Sequence, residues 1–481
     1  MNDELTTFSA TRLADLIRRR EVSPVEVVEA YLKRIERLNP DLNSVVTLAP
    51  DALERAREAE AAVMRGGETG ALCGVPMTVK DTIDVRRLRA TGGSKARENY
   101  VPGADAPAVG RLRAAGAIIL GKTNASEVAL DYTTDNPVFG RTNNPFDLSR
   151  TPGGSSGGCA AAVGACLAAG SLGSDLAGSI RIPAHFCGVA GLKPTAGRVP
   201  GAGHFPPLAG AYALGASLGP LARNVEDLSL FFRVLSGTTV GFETDAWGGT
   251  LRELIASTQS PRVAFYTDDG IVPVGEESKE AVFGAASALR DAGLQVSEER
   301  PPCVERATEM WLALFSHATR RIVCATYEGR EAAAGAAARA VLARSAKQEA
   351  PALEDFMDAW EERDHLRSIL LGWMETTPLI IAPVGALTAF RHDAGRHFAG
   401  GGKAFGLFQA FGYAQAYNVF DLPAACVPAG RTDDGLPVGV QIVGRPFEEA
   451  RVLAAARVVE EALGGWRPPP ESLSNAGANP I

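Results

Sequence analysis

The chain has 481 residues and a formal net charge of −8, with 46% hydrophobic and 22% charged residues. This acidic balance argues against non-specific binding to nucleic acid or to an anionic membrane, and the hydrophobic content is enough for a large core. Seven cysteines without CxxC spacing give no sign of a disulfide scaffold, and no run of 18 apolar residues predicts a membrane-spanning helix. The N-terminal sequence also lacks an apolar signal core, so we expect a cytoplasmic protein.

Helices and strands alternate along most of the chain. The sequence SPVE at 23–26 is a capping box with proline at the first helical position, and apolar residues follow it at helical spacing up to residue 38. DALERAREAEAAVMRGG, from residue 51, predicts a second helix that ends at glycine. In GVPMTVKD, from residue 74, apolar and polar residues alternate, which predicts a strand.

The later segments continue this alternation. A helix around residues 106–115 leads into the strand AIILGK, and residues 240–370 are mainly helical apart from short strands at RVAFY and LQVSEE. Strands are predicted again at PLIIAPVG, PAACVPAG and VGVQIVG, before a final helix over 448–464. No repeat, charge block or low-complexity linker divides the chain, so we expect helices on the faces of a sheet.

Three common motifs of catalytic and binding sites fit poorly. GAIILGKT at 116–123 matches the phosphate-loop pattern literally, but its apolar middle predicts a strand, which cannot wrap phosphates. The serine-hydrolase motif GxSxG is absent, and the six histidines form no HExxH or HxH pair. We therefore expect neither a metal ion nor another cofactor.

Other candidate nucleophiles are less favoured. His185 lies six residues after Ser179, but a packed or surface histidine is the favoured interpretation over a Ser–His pair. Cys159, Cys166 and Cys187 are each a nucleophile in principle, although their alanine and glycine neighbours favour a role as small apolar side chains.

The segment from Gly153 to Ile180 consists mainly of glycine, alanine and serine. Nucleophilic attack on a carbonyl requires an activated hydroxyl, a proton acceptor and backbone donors, and small residues around Ser179 would leave backbone amides accessible. A lysine can accept the proton if burial lowers its pKa, and Lys80 at the end of an apolar strand is the candidate. The alternative is that Lys80 points into solvent, as lysines at strand ends usually do.

From Gly153 to Pro183 the sequence GGSSGGCAAAVGACLAAGSLGSDLAGSIRIP resembles the signature of the amidase signature family. Further blocks resemble the family in the expected order, namely GVPMTVKD, GKTNASE, TDNPVFGRTNNP, FCGVAGLKPTAGRVP and GLPVGVQIVGRPFEE. The similarity covers most of residues 1–240 and about 420–465, whereas residues 240–400 match only loosely.

The resemblance implies a single α/β domain over residues 1–481, with a large mixed, twisted sheet flanked by helices on both faces. N-terminal helices would occupy residues 1–65, the signature core 66–240, a variable and mainly helical region 241–400, and C-terminal strands and a helix 401–481. It also implies an enzyme that hydrolyses amides and needs no cofactor.

The resemblance assigns catalytic roles by position. Ser179 would be the nucleophile, Lys80 the base, and Ser155 the residue that bridges them, with a cis peptide bond between Gly154 and Ser155. Neutral Lys80 would take a proton from Ser155 as Ser155 takes one from Ser179. The same relay in reverse would protonate the leaving amine.

The resemblance also places an oxyanion hole beside the nucleophile. Its backbone donors would be Leu176, Ala177, Gly178 and Ser179. Most relatives carry glycine at the position of Ala177, and an alanine fits there only if its φ stays negative.

Three polar residues would support the loop that carries the nucleophile. Ser156, Asp175 and Arg181 would hold it by hydrogen bonds, although an Asp–Arg pair that is merely structural is equally consistent with the sequence.

Apolar residues would line the substrate pocket. Ala129, Leu130 and Tyr132 match positions that line the acyl pocket in membrane-bound relatives. An aromatic run lies later in the chain and consists of Phe405, Phe408, Phe411, Tyr413 and Tyr417. For this run we favour core packing over a place in the pocket.

Three functions are open. The leading one is a stand-alone hydrolase of carboxylic amides, with an apolar or aromatic acyl group. The second is the amidase subunit of a tRNA-dependent amidotransferase, and the third is a catalytically silent scaffold, which the presence of Lys80, Ser155 and Ser179 disfavours. The expected partner is a small-molecule amide, with neither nucleic acid nor a membrane, and a homodimer is left open.

One segment favours the first function over the second. Glutamine-using relatives carry a polar block that resembles Met-Tyr-Leu-x-Asp-x-x-Thr before the late strands. The corresponding sequence here, GGGKAFGLFQAFGYAQAYNVFDLP, is aromatic and glycine-rich. The chain thus resembles bacterial amidases and fatty-acid-amide-hydrolase-like members more than the amidase subunit of the glutamyl-tRNA amidotransferase.

Overall fold

The computed structural model describes residues 2–66, 69–237, 262–347 and 352–470. The helices in these residues are α1 (Asn2–Thr7), α2 (Ala10–Arg18), α3 (Pro24–Leu42), α4 (Ala52–Met64), α5 (Pro107–Ala114), α6 (Gly157–Gly164), α7 (Arg181–Cys187), α8 (Val225–Ser236), α9 (Glu276–Asp291), α10 (Ala307–Tyr327), α11 (Ala336–Ser345), α12 (Leu353–Trp373), α13 (Gly412–Val419) and α14 (Glu449–Leu463). The strands are β1 (Val45–Leu48), β2 (Pro76–Lys80), β3 (Ile118–Thr123), β4 (Gly170–Asp175), β5 (Ala190–Lys193), β6 (Ser217–Ala222), β7 (Arg262–Phe265), β8 (Gln295–Glu298), β9 (Leu379–Pro383), β10 (His397–Gly400), β11 (Lys403–Gly406), β12 (Ala424–Arg431) and β13 (Pro437–Gly444).

The strands form one large mixed sheet. Within the described residues, eleven strands lie in the order β1-β3-β2-β4-β6-β5-β12-β13-β9-β7-β8, and β10 and β11 form a separate hairpin. β2 runs parallel to β3 and β4, and β7 runs parallel to β8 and β9, whereas the other pairs are antiparallel. The predicted α/β fold with a large mixed sheet is confirmed.

Successive residues of a strand enter two different hydrophobic clusters. In β9, Leu379 and Ile381 pack with the cluster that includes α3, α8 and α14, while Ile380 and Ala382 pack with the cluster that includes α7, α10 and α13. Since side chains alternate across a strand, the two clusters lie on opposite faces of the sheet. Helices therefore cover both faces, and every residue of β2, β3 and β4 is buried.

Most of the predicted elements are present. The capping box at Ser23 forms at the start of α3, the helix expected around 106–115 is α5, and the final helix is α14. The motif GAIILGKT contains β3, so the interpretation as a strand is confirmed and a phosphate loop is excluded.

The sequence did not predict the strands rich in glycine. β4 begins at Gly170, where a Cβ atom would lie 2.2 Å from the ring of Phe231, so the glycine serves a close contact inside the sheet. Of the region expected to be mainly helical, residues 238–261 lie outside the described residues, and the β10–β11 hairpin begins at its end. The division of the chain into four segments stays a prediction.

None of the helices among the described residues is long and apolar enough to cross a membrane.

Candidate active site

Lys80 ends β2 in the interior of the protein. Its side chain is fully buried, and its Nζ atom lies 2.7 Å from Oγ of Ser155 and 2.9 Å from Oγ of Ser174. The alternative that Lys80 points into solvent is therefore wrong, because helices cover both faces of its strand. Sequence reasoning missed Ser174, although it lies next to Asp175 in the small-residue segment.

Burial changes the protonation of Lys80. Loss of water around the ammonium group lowers the pKa of Lys80 to about 8, although the nearby Cys159 and Asp175 act in the opposite direction. At neutral pH a substantial fraction of the side chain is thus the neutral amine, which can accept a proton.

Glycines allow the backbone around Ser155 to approach its neighbours closely. The Gly154–Ser155 peptide bond is cis, as expected from the resemblance. A Cβ atom at Gly154 would lie 2.5 Å from the carbonyl oxygen of Asp131, and one at Gly158 would lie 2.4 Å from the carbonyl oxygen of Asn124. The small residues of this segment are needed because backbones pass where side chains have no room.

Ser179 lies between β4 and α7, beside Ser155. Its side chain is 8% exposed and lines the same cavity as Ser155 and Ser174. Among the described residues, the Oγ atom of Ser179 has no hydrogen-bond partner, so the Lys80–Ser155 hydrogen bond is formed and a Ser155–Ser179 hydrogen bond is not.

Asp175 and Arg181 hold the loop around Ser179. The Asp175 carboxylate accepts hydrogen bonds from the backbone N–H of Gly178 at 2.8 Å and of Ile180 at 3.0 Å. Arg181 donates to both of its oxygens, from Nε at 3.1 Å and from Nη2 at 3.0 Å. Burial alone would raise the pKa of the Asp175 carboxyl, but the Arg181 guanidinium outweighs this effect and holds that pKa far below its usual value.

Other side chains complete this network. Arg181 donates to the side-chain oxygens of Gln441 at 2.7 Å and Asn418 at 2.6 Å. On the other side of the loop, the backbone N–H of Ser156 donates to the carbonyl oxygen of Ser179 at 3.2 Å. These bonds tie the loop to β13, α13 and the start of α6.

The four backbone amides expected to form an oxyanion hole are not equivalent. The N–H of Gly178 is already bonded to Asp175, whereas the N–H groups of Leu176, Ala177 and Ser179 have no acceptor among the described residues. The left-handed position is Gly178, with a φ of 98°, and Ala177 is outside the left-handed region. The alanine therefore fits, and three amides remain for an oxyanion.

A cavity opens in front of Ser155 and Ser179. Its volume is about 770 Å³ including its open mouth, within the usual range for a small-molecule site. Most of the lining side chains are apolar or aromatic: Val128, Ala129, Leu130, Tyr132, Leu176, Ala177, Pro206, Leu208, Tyr212, Ala216, Trp311 and Phe408.

The pocket residues expected from the sequence lie here, together with others. Ala129, Leu130 and Tyr132 all line the cavity, and their contact with substrate stays a prediction. In the aromatic run, core packing is correct for the four buried members, but Phe408 lines the cavity. Trp311 was missed because its segment has no family motif, and its Nε1 donates to the carbonyl oxygen of Leu176 at 2.9 Å.

The charged groups that line the cavity are paired. Arg396 donates two hydrogen bonds to Asp131, at 2.7 and 3.1 Å, and its side chain is 60% exposed at the mouth. Asp175 is bound by Arg181, as described above. The described part of the cavity wall thus presents no carboxylate without an arginine partner.

The other candidate nucleophile systems are not assembled. The ring nitrogens of His185 bind the backbone N–H of Gly439 and face the carbonyl oxygen of Leu387, so His185 is a packed histidine. Burial lowers its pKa to about 4. Cys159, Cys166 and Cys187 are buried and do not line the cavity, which confirms their role as small packed side chains.

Solved structures of similar fold are amide-hydrolysing enzymes. A 6-aminohexanoate cyclic dimer hydrolase, solved with substrate, superposes with a TM-score of 0.83 at 30% identity and covers 97% of this chain and 99% of its own. A bacterial aryl acylamidase superposes with a TM-score of 0.82 at 27% identity, covering 98% and 99%. The fold and the site therefore define an enzyme of the amidase class, which acts on carbon–nitrogen bonds.

The sequence comparison gives the family. A family model described as Amidase matches residues 26–453. A subunit of the glutamyl-tRNA(Gln) amidotransferase of Thermoanaerobacter pseudethanolicus is 33% identical over 491 residues, which cover 95% of this chain and 97% of the relative. The chain belongs to the amidase family.

Proposed function

We propose that this chain hydrolyses a carboxylic amide to an acid and ammonia or an amine, through an acyl-enzyme on Ser179. The observation that carries the proposal is the fully buried Lys80, whose Nζ lies 2.7 Å from Ser155 Oγ at the wall of a cavity that also contains Ser179. Its expected location in the cytoplasm stays a prediction.

The first half of the reaction forms the acyl-enzyme. The neutral amine of Lys80 takes the Ser155 proton, Ser155 takes the Ser179 proton, and Ser179 Oγ forms a bond with the amide carbon. The N–H groups of Leu176, Ala177 and Ser179 stabilise the oxyanion, since they are the amides of this loop without another acceptor. The C–N bond then breaks, and the leaving nitrogen receives the proton held by the relay.

The second half releases the acid. Water enters where the amine has left and gives a proton to the same relay, while its oxygen attacks the ester carbon of the acyl-enzyme. The second tetrahedral intermediate collapses, the acid leaves, and Ser179 recovers its proton. The reaction consumes one water and needs no cofactor.

The cavity wall favours an apolar substrate. Apolar and aromatic groups gain about 25 cal/mol for each Å² that they bury against such a wall. A zwitterion such as glutamine loses hydration there, and both carboxylates of the described wall are already bound by arginines. We therefore propose an aryl or medium-chain aliphatic acyl group.

A second candidate function is the release of ammonia from glutamine. It is favoured by the relatives of similar sequence, several of which are named as a subunit of glutamyl-tRNA(Gln) amidotransferase, at 30–34% identity. The pair Arg396–Asp131 at the cavity mouth also carries the two charges that would complement a zwitterion. In this case the chain would act with partner subunits.

A substrate panel separates the two candidates. We expect the isolated chain to hydrolyse a phenyl or hexyl amide with a kcat/KM far above that for glutamine, because apolar burial favours the former. Phe408, which lines the cavity and stacks on Tyr132, contributes to this preference, so Phe408→Ala should lower kcat/KM for the phenyl amide about 10-fold.

The matched control is Phe398→Ala, since Phe398 is also half-buried but does not line the cavity. A preference for glutamine, or activity only after partner subunits are added, would establish the second candidate instead.

A further inference from the structure

His204 lies behind the catalytic lysine, on the segment between β5 and β6. Its Nε2 atom lies 2.9 Å from Oγ of Ser174, and that hydroxyl lies 2.9 Å from Nζ of Lys80. Its Nδ1 atom lies 2.6 Å from the carbonyl oxygen of Pro206. The ring is 8% exposed and reaches the cavity wall, but none of the three catalytic roles uses it.

The carbonyl of Pro206 fixes the direction of these hydrogen bonds. A carbonyl oxygen only accepts, so Nδ1 of His204 must carry the hydrogen. Burial and then the Lys80 charge lower the pKa of His204 to about 3, so the ring is neutral and its Nε2 is an acceptor. Ser174 therefore donates its hydroxyl hydrogen to Nε2, and its oxygen accepts a hydrogen from Lys80.

This direction determines which way the Lys80 lone pair points. A neutral amine has two N–H groups and one lone pair. One N–H is bound to Ser174, and Ser155 lies at 2.7 Å on the other side of the nitrogen. If the Ser174 hydroxyl could turn, its hydrogen could occupy the lone pair that must receive the Ser155 proton.

We propose that His204 is a positioning residue that acts through Ser174 to keep the Lys80 lone pair directed at Ser155. The proposal rests on the proposed function, in which Lys80 is the base. The other titratable or charged groups near this pair are Cys159 and Asp175, which face Lys80, and Lys122, which faces His204.

A double-mutant cycle between His204 and Ser174 tests the proposal. On the phenyl amide, His204→Leu should lower kcat about 10- to 100-fold with little change in KM, which is part of the roughly 100- to 10,000-fold that a positioned base contributes. In a Ser174→Ala background the same substitution should have almost no further effect, because the residue through which it acts is gone. His204→Gln keeps an acceptor for Ser174 and should recover part of the loss.

The control is His365→Leu, the same substitution at an exposed position of α12. Equal losses from His204→Leu in both backgrounds would overturn the proposal, because a structural role is independent of Ser174. A loss confined to KM would overturn it as well, since it would indicate direct contact with substrate.

The hydrogen position can be tested in the wild-type protein. Nitrogen-15 NMR of labelled histidine at pH 7 should show His204 as the neutral tautomer with the hydrogen on Nδ1, identified by the signal missing from His204→Gln. The opposite tautomer or a charged ring would contradict the proposal. Full activity after loss of the Lys80 amine would instead remove the proposed base itself, which distinguishes failure of the function from failure of this inference.

Discussion

Replacement of Ser179 by alanine should abolish amide hydrolysis, with a loss of at least about 10,000-fold in kcat, the scale reported by removal of a serine nucleophile. The substitution takes away one oxygen atom, which has no hydrogen-bond partner among the described residues, so the fold should keep its thermal midpoint. Release of amine from the phenyl amide measures the loss.

Ser297→Ala is the matched control. The Ser297 hydroxyl is also buried without a partner among the described residues, but it lies in β8 at the edge of the sheet. Its variant should keep wild-type turnover. Treatment with a fluorophosphonate should add mass to the peptide that contains Ser179, and a label on a cysteine would contradict the serine mechanism.

Replacement of Lys80 by methionine should lower kcat by orders of magnitude, since a positioned general base contributes roughly 100- to 10,000-fold. Methionine has a similar length and no charge, so it can occupy the buried site. Lys80→Arg should be as inactive, because a guanidinium does not lose its proton near neutral pH. Thermal unfolding of each variant shows whether the protein is folded.

The pH dependence follows from the same residue. Only the neutral amine accepts a proton, and burial lowers the pKa of Lys80 to about 8. The kcat/KM of the wild-type enzyme should therefore rise with pH as the ammonium form is lost, pass its midpoint near that value, and stay level above it.

Lys122 provides a control for this prediction. It is also fully buried, and burial also lowers its pKa to about 8, but its Nζ donates to the carbonyl oxygen of Ile83 and it does not line the cavity. The folded fraction of Lys122→Met should keep its activity and its pH profile. A folded Lys80→Met with most of the wild-type activity would show that the base lies elsewhere.

Local sequence patterns predicted much of the fold. The capping box at Ser23 and the proline beside it define the start of α3, and alternation in GVPMTVKD predicted β2. The glycine-rich strand β4 has no such pattern, because its residues are chosen for close contact, as Gly170 is against Phe231.

The catalytic candidates were available from the resemblance, but their environment was not. Whether Lys80 faces solvent or the interior depends on the helices that cover β2, which no local pattern specifies. The engagement of the Gly178 amide by Asp175 requires the loop geometry. The contact between Arg396 and Asp131 joins residues 265 positions apart, and the path from His204 to Lys80 runs through Ser174 on a third segment.

The acyl-enzyme is the central claim, and it can be observed by mass. The protein is mixed with an excess of an activated aryl ester of the preferred acid and quenched with acid during the first burst of alcohol release. Intact-mass and peptide analysis should then show one acyl group on Ser179, and none in Ser179→Ala. An acyl group on another residue, or a burst that leaves the protein mass unchanged, would contradict the mechanism.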